Sequence, residues 1–279
     1  MKVRFWGVRG SFAMPGREFL RYGGNTSSIE VVTEVGQRLL VDLGTGATEY
    51  AKHLMGSEFG KGHGLLPILL THTHLDHIQG LPFFTPFFIK GNEIQIMGAN
   101  PSSGLSLEST LQNQLAPHYS PLNGLENLAA GVTIESFVPG VTITLPGYEV
   151  ATVAVPHGSM WTTAFRIMAD DKVVTILSDV EYPTPDDPLP DALELARDAD
   201  LLVHDAMHAD HDYDLRRGWG HSPARAGVTV AERAGAKRLA LFHHSPDATD
   251  EMIDEVVERT ASRTSVPVFA AAEGKYHDV

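Results

Sequence analysis

The sequence predicts an α+β fold, an αββα sandwich in which two mixed β-sheets lie face to face with helices on their outer sides. Three observations lead there. Runs with strand character come in two batches, one within residues 2–70 and one within residues 132–271. Helical segments are dispersed among them rather than gathered in one block. The apolar runs also end repeatedly in histidine or aspartate, as they would if separate strands delivered side chains to one edge.

Residues 2–9 alternate charged and apolar side chains and read as the first strand. Gly23-Gly24-Asn25-Thr26 marks a turn, Ser27–Val35 a second strand, and Arg38–Asp42 a third that ends in Asp42-Leu43-Gly44-Thr45-Gly46. Those glycines suit a tight turn into a helix from Ala47 to Met55. The turn lacks the lysine of a phosphate loop and the third glycine of a dinucleotide fingerprint. Asp42 is therefore expected to hydrogen-bond nearby backbone or a ligand histidine.

A loop over 56–64 precedes the buried strand Leu65–Leu70. The aromatic stretch Leu81–Ile89, interrupted by Pro82 and Pro86, reads as a loop packed on the core, with the wall of a substrate pocket or a dimer contact as the sharper alternative. Ser106–Leu115 is a short amphipathic helix carrying Leu107, Leu111 and Leu115 on one face. Ala116–Pro121 is a loop whose His118 is read as a surface residue, with substrate contact as the alternative.

The second half is strand-rich: 132–137, 141–145, 148–155, 163–168 and 172–177. A loop rich in proline and aspartate over 183–190 leads to a helix over 191–198 and a strand over 201–203. Ser222-Pro223 reads as an N-cap and first helical residue, opening a helix that stops at Gly235. A strand over 238–242 follows, then a helix capped by Thr249 with Asp250 and Glu251 favourable to its dipole, and a last strand over 266–271. No linker or fixed-period repeat interrupts the chain, which reads as one domain over 1–279.

At 279 residues the chain can bury a core without covalent staples. It has no cysteine, which excludes disulfides, thiolate metal sites and cysteine nucleophiles and fits a reducing cytoplasm. No signal-peptide pattern or run of about eighteen apolar residues is present, so no membrane partner is expected. The formal net charge is −14, from 21 basic and 35 acidic residues. A polyanion binder shows a basic excess or stripe, so nucleic-acid polymers are not expected as partners. A small anionic substrate is, because bound cations would reverse the local field.

The densest chemistry is His72-Thr73-His74-Leu75-Asp76-His77, four metal-binding side chains within six residues. In extended chain His72 and His74 point the same way and can grip one ion, while Asp76 and His77, where the chain turns, can face a second. Other strand-like runs end at His157, Asp179, His204-Asp205 and His243-His244. Taken alone, each is an ordinary loop residue. Together they argue for a shared site of imidazole and carboxylate ligands, which suits zinc first and manganese or iron next. Two ions about 3.5–4 Å apart can hold a bridging hydroxide and clamp both oxygens of an in-line displacement.

The segment His72–His77 matches the HxHxDH signature of the metallo-β-lactamase fold superfamily, and the chain resembles that superfamily along most of its length. Val41-Asp42-Leu43-Gly44-Thr45-Gly46, the isolated His157, Asp179 and His243 follow in the family's order. The resemblance implies one ion on His72, His74 and His157, another on Asp76, His77 and His243, and Asp179 bridging. His243 is preferred to His244 because Leu241-Phe242-His243-His244-Ser245-Pro246 is similar to the family's Leu-Thr-His-Phe-Ser-Pro.

Val203-His204-Asp205-Ala206 and Gly220-His221-Ser222 resemble the His-Glu-Ala-Thr and Gly-His-Ser motifs of ribonuclease Z and related phosphodiesterases. They imply that His221 protonates the leaving oxygen and that Asp205 orients it, although aspartate reaches less far than the family's glutamate. The glycine-rich basic arm with which ribonuclease Z grips transfer RNA is not recognisable. The openings Trp6–Ser11 and Tyr22–Ser27 look like a bacterial branch similar to cyclic phosphodiesterases.

The expectation is thus a cytoplasmic dinuclear hydrolase of a small, including cyclic, phosphodiester, with Asp76, His221 and Asp205 in the chemistry. Hydrolysis of a carboxylic ester, thioester or lactone on the same site is the enzymatic alternative, and a non-catalytic metal-binding sensor the other. A diiron redox enzyme fits less well, since that branch carries Glu as its first acidic ligand and a flavin module. A homodimer is entertained.

Overall fold

The computed structural model describes residues 1–120 and 122–279, so Pro121, at the end of the expected 116–121 loop, lies outside them. In chain order the elements are β1 (Lys2–Gly7), β2 (Ser28–Val32), β3 (Arg38–Val41), α1 (Gly46–Leu54), β4 (Leu65–Leu70), α2 (Leu75–Ile78), β5 (Glu93–Ala99), α3 (Leu107–Gln114) and β6 (Gly131–Phe137). There follow β7 (Thr142–Leu145), β8 (Tyr148–His157), β9 (Met160–Ala169), β10 (Lys172–Leu177), α4 (Pro190–Ala196), β11 (Leu201–Asp205) and α5 (Tyr213–Arg216). The last are α6 (Ala224–Ala234), β12 (Leu239–Phe242), α7 (Asp250–Ala261), β13 (Val268–Ala270) and β14 (Tyr276–Asp278).

The strands form two mixed seven-stranded sheets, ordered β14-β1-β2-β3-β4-β5-β6 and β13-β12-β11-β10-β9-β8-β7. Side-chain alternation along a strand explains the layers. Leu39 and Val41 point into the core between the sheets and Leu40 outward; Leu69 points inward and Ile68 outward. In the second sheet Leu201 and Val203 face inward while Leu202 packs on the outer helices. Three apolar interfaces therefore separate four layers, as the predicted αββα sandwich requires. Each fully buried Val, Leu, Ile or Phe contributes roughly 1.5–3 kcal/mol, and strands covered on both faces are apolar on both.

Register aligns the functional strand ends. The strands from β3 to β6 are mutually parallel, as are those from β10 to β13. Val41 pairs with Leu69, so Asp42 emerges close enough to take the Thr71 amide at 2.9 Å. Leu177 pairs with His204, and Asp205 with Phe242, so the residues after β10, β11 and β12 leave at one level. These carboxyl ends are where open α/β sheets collect ligands.

Several expectations shift locally. Helix α6 starts at Ala224 rather than Pro223, and Ser222 does not cap it; its hydroxyl donates to the Val180 carbonyl at 2.6 Å. Tertiary contact there takes the serine that local propensity assigned to the cap. Gly235 ends that helix in the left-handed conformation as expected, and Thr249 caps α7 through the Met252 amide at 3.3 Å. β5 and β14 are strands beyond those the sequence pattern predicted, although Ile94 and Ile96 do alternate with exposed or half-exposed neighbours. In Leu81–Ile89, Leu81, Phe84, Pro86 and Phe87 are buried while Phe83 is exposed, so the segment is core and surface wall at once. Among the described residues no helix is long and apolar enough to cross a membrane.

Candidate metal centre

β4 delivers four of the expected ligands. Beyond Leu70 the chain stays extended to His74, whose φ of −61° and ψ of 152° make it the N-cap of α2. The single helical turn then swings Asp76 and His77 inward, where both are buried. Extended chain followed by one turn is how four such side chains reach one place from six residues.

The remaining strand ends complete two groups. His72, His74 and His157 offer ligand atoms within 4.8 Å of one another; Asp76, His77, Asp179 and His243 do the same. In the second group His77 Nε2 lies 3.4 Å from Asp76 Oδ2 and 3.3 Å from Asp179 Oδ1, and His243 Nε2 lies 3.3 Å from each of those oxygens. Tetrahedral ligands bound at about 2.0–2.1 Å stand about 3.3–3.4 Å apart, so the spacing is that of a coordination shell. Nitrogens of both groups are also orphaned: His72 Nε2, His77 Nε2 and both ring nitrogens of His243 are buried without a hydrogen-bond partner among the described residues. Buried polar atoms of this kind need an explanation, and a divalent metal ion provides one.

The first group passes the same test. His157 Nδ1–H donates to the Gly220 carbonyl at 2.6 Å, leaving a lone pair on Nε2, which faces His74 Nδ1 at 3.2 Å. Asp179 Oδ1 stands 3.9 Å from His72 Nε2 as well as beside the second group. It is the oxygen common to both.

Burial, aided by neighbouring His77, holds His72 well below the ordinary histidine range, and burial likewise lowers His74 and His157. Neutral imidazole is the form that binds metal. For Asp76 and Asp179 burial acts in the opposite sense, but the surrounding His77 and His243 outweigh it and hold both below the usual carboxylate range.

A surrounding layer fixes these ligands. Asp42 accepts from His77 Nδ1 at 2.7 Å, the Thr71 amide at 2.9 Å and the Ser27 hydroxyl at 2.8 Å, so it binds both a ligand histidine and backbone. The Ser11 amide donates to Asp76 Oδ2 at 2.7 Å, and the Ser178 hydroxyl donates to Asp179. Buried Arg9 ties this N-terminal loop to the segment after His243, donating to Gly23 O at 2.7 Å and Ala248 O at 2.6 Å. The backbone is bent to aim these groups. Of the seven non-glycine residues described with positive φ, Ser11, Asp42, Asp179 and His243 belong to this centre, at 63°, 65°, 55° and 59°. Such conformations cost about 1–3 kcal/mol each and persist where the surroundings overdetermine them.

Two glycines permit close approach. A Cβ on Gly10 would stand 2.4 Å from the His243 ring, and one on Gly220 would stand 2.4 Å from His157 Nδ1.

Beside the groups, His221 Nδ1–H donates to Asp205 Oδ2 at 2.8 Å, so aspartate does reach. Asp205 Oδ1 takes the Met207 and Ser222 amides at 3.0 and 3.1 Å. Burial opposes the charged form of His221, but Asp205 outweighs it and pushes the imidazole up to about 9. His221 stacks on His243 with centroids 4.9 Å apart and shares a 4.8 Å neighbourhood with His157 and Asp179.

His244 is buried elsewhere, 3.0 Å from the Ala271 carbonyl, which separates it from His243. His204 faces Tyr182 and its own strand, at 3.0 Å from the hydroxyl and 2.7 Å from Asp205 O. His118 is exposed and outside both groups. Glu181 is a functional neighbour that the sequence pattern did not indicate. Its carboxylate takes the Gly218 and Gly220 amides at 2.6 and 2.7 Å, and Gly220 in turn orients His157. The available signal was its place two residues beyond Asp179.

A family model described as a beta-lactamase superfamily domain matches residues 37–244. Ribonuclease Z of Halorubrum lacusprofundi is 29% identical over 88% of this chain and 86% of its own length. Among solved structures, the metallo-beta-lactamase fold protein YhfI from Bacillus subtilis superposes with a TM-score of 0.71 at 19% identity, covering 99% of this chain and 98% of YhfI. The short form of human tRNase Z does so with a TM-score of 0.69 at 21% identity, over 100% and 99%. The ribonuclease relative overturns the expectation that nucleic-acid polymers are excluded as partners. Net charge averages over the whole surface, whereas the field at a site follows its local charges and any bound ion. The match over 37–244, carried by a sandwich of two mixed sheets with its histidines and aspartates gathered at the strand ends, means that the chain belongs to the beta-lactamase superfamily domain family.

Proposed function

We propose that this protein is a dinuclear, zinc-dependent phosphodiesterase acting on a small phosphodiester, cyclic ones included. His72, His74 and His157 would hold one ion and Asp76, His77 and His243 the other, with Asp179 between them. Such a pair supplies an activated water and positive charge opposite the phosphoryl oxygens. The observation that carries the reading is the His221–Asp205 pair at 2.8 Å, directed at this centre.

Asp205 faces His221 Nδ1 and favours the charged imidazole, which leaves the far side of the ring to deliver a proton to a leaving alkoxide. Asp205 stays ionised, since His221 and two amides offset its burial. Asp42 and the Ser11 amide keep His77 and Asp76 in their ligand orientations. The acid, together with the ribonuclease relative, favours a phosphodiester over a carboxylic ester.

The test joins metal analysis to a panel of bis-aryl phosphate, cyclic nucleotides, pre-tRNA, a lactone and a β-lactam. Two zinc ions per chain and turnover of the small diesters are expected, with activity lost in His74→Ala and Asp76→Asn. Phosphodiesterase activity surviving those substitutions, or turnover of the carbonyl substrates alone, would sink the proposal. Cleavage of pre-tRNA without small diesters would reassign the substrate.

A further inference from the structure

A groove of about 520 Å³ runs beside α2. Thr73 and Leu75, which flank the exposed His74, line it, so it lies next to the metal centre. Its volume falls within the roughly 300–1,000 Å³ of small-ligand pockets. Pro82 and Phe83 line it together with Tyr119 and Asn113 of α3. Among the described residues no lysine, arginine, histidine, aspartate or glutamate lines it.

We propose that this groove receives the nucleobase of a nucleotide whose phosphate lies at the metal centre, an inference that rests on the phosphodiesterase reading. Three features select a base over other occupants. Phe83 and Tyr119 are 63% and 83% exposed, and aromatic faces left in water beside a phosphate site are stacking platforms for bases. The amides of Gln79 and Asn113 line the same groove and match the donor and acceptor edge of a base, which an acyl chain would leave unpaired. Gln114 uses its amide nitrogen on the Ile78 carbonyl at 2.7 Å, while its Oε1 has no donor among the described residues. The missing cations exclude the phosphate chain itself from the groove.

Exposed aromatic surface also gathers at this end of the molecule. Phe12 follows the Ser11 that holds Asp76, Trp161 lies on the hairpin after His157, and Trp219 lies two residues before His221; all three are exposed.

Calorimetric titration of the zinc-loaded protein with adenosine monophosphate, methyl phosphate and inorganic phosphate tests the groove. Adenosine monophosphate should bind wild type at least about tenfold more tightly than methyl phosphate, the scale of one stacked base. Phe83→Ala and Tyr119→Ala should each narrow that gap several-fold and leave phosphate binding unchanged, while Phe83→Trp keeps the gap. Both side chains are largely in solvent, so unchanged thermal melting is expected.

Equal affinity for the two esters in wild type, or a preference that survives both alanine variants, overturns the proposal. Hydrolysis of thymidine p-nitrophenyl phosphate is measured alongside. Base preference without hydrolysis sinks the phosphodiesterase reading and leaves the groove standing, whereas hydrolysis without base preference sinks the groove alone.

Discussion

The two ligand groups of the centre are enclosed differently. Asp76, His77, Asp179 and His243 are all buried, whereas His74 in the other group is exposed. In the closed group Asp42 braces His77, the Ser11 amide braces Asp76, and Asp205 stands 4.0 Å from His243 Nδ1. In the open group, among the described residues, only the Gly220 carbonyl and the Thr71 hydroxyl, 3.1 Å from His72 Nδ1, act comparably. One side of the centre is a closed floor, and the other opens to solvent at His74. Burial and outer hydrogen bonds thus distinguish two sites whose ligand types are nearly alike.

Asp179→Asn would have the largest effect, because Asp179 Oδ1 lies 3.9 Å from His72 Nε2 and 3.3 Å from both His77 and His243 Nε2. We expect both ions to be held weakly and kcat/KM to fall by more than the about 10²–10³ that a single lost electrostatic contact costs, read by metal analysis and diester turnover. Loss of one ion only would show that Asp179 belongs to one group. His221→Ala should lower turnover of alkyl diesters by about 10²-fold or more, with a smaller effect on p-nitrophenyl esters, whose leaving group needs no proton. An equal loss on both substrates would remove His221 from the proton transfer.

The two braces sharpen the contrast. Asp42→Asn should weaken the closed ion by about 10–100-fold. Glu181→Gln, which reaches His157 only through Gly220, should weaken the open ion by about tenfold. Reversal of that order would break the comparison. In a timed chelation of wild type, the first ion to leave should be the one whose affinity His74→Ala lowers.

The smallest effect is on stability. His221 has its pKa raised from 6.5 to about 9. A raised folded value contributes stability in full below about 6.5, lost as pH climbs through about 9, of order 3 kcal/mol. In metal-free protein the denaturant midpoints of wild type and Asp205→Asn should differ most near pH 6 and draw together above about pH 9. A gap constant with pH would mean that the pair is not charged.

Much of this was legible in the chain. The period-two runs ending in His or Asp announced both sheets and the level at which they deliver ligands, because alternation and strand ends are local properties. α6 shows the limit of local reading: Ser222 looked like a cap, but a 2.6 Å hydrogen bond to Val180 O claims it. β14 was illegible because three residues acquire strand geometry only by pairing with β1.

By itself the sequence determined the fold class, the residue types of the centre and the density of His72–His77. Only the tertiary structure decided which of His243 and His244 turns inward, that Asp205 reaches His221, and that Glu181 supports His157 through Gly220. It also decided that Phe83 and Tyr119, 36 positions apart, face one groove. The physical reason is that residue type and periodicity are carried by neighbours in sequence. The direction of a side chain at a strand end instead depends on a left-handed φ, a register and a hydrogen bond that strands distant in sequence impose together.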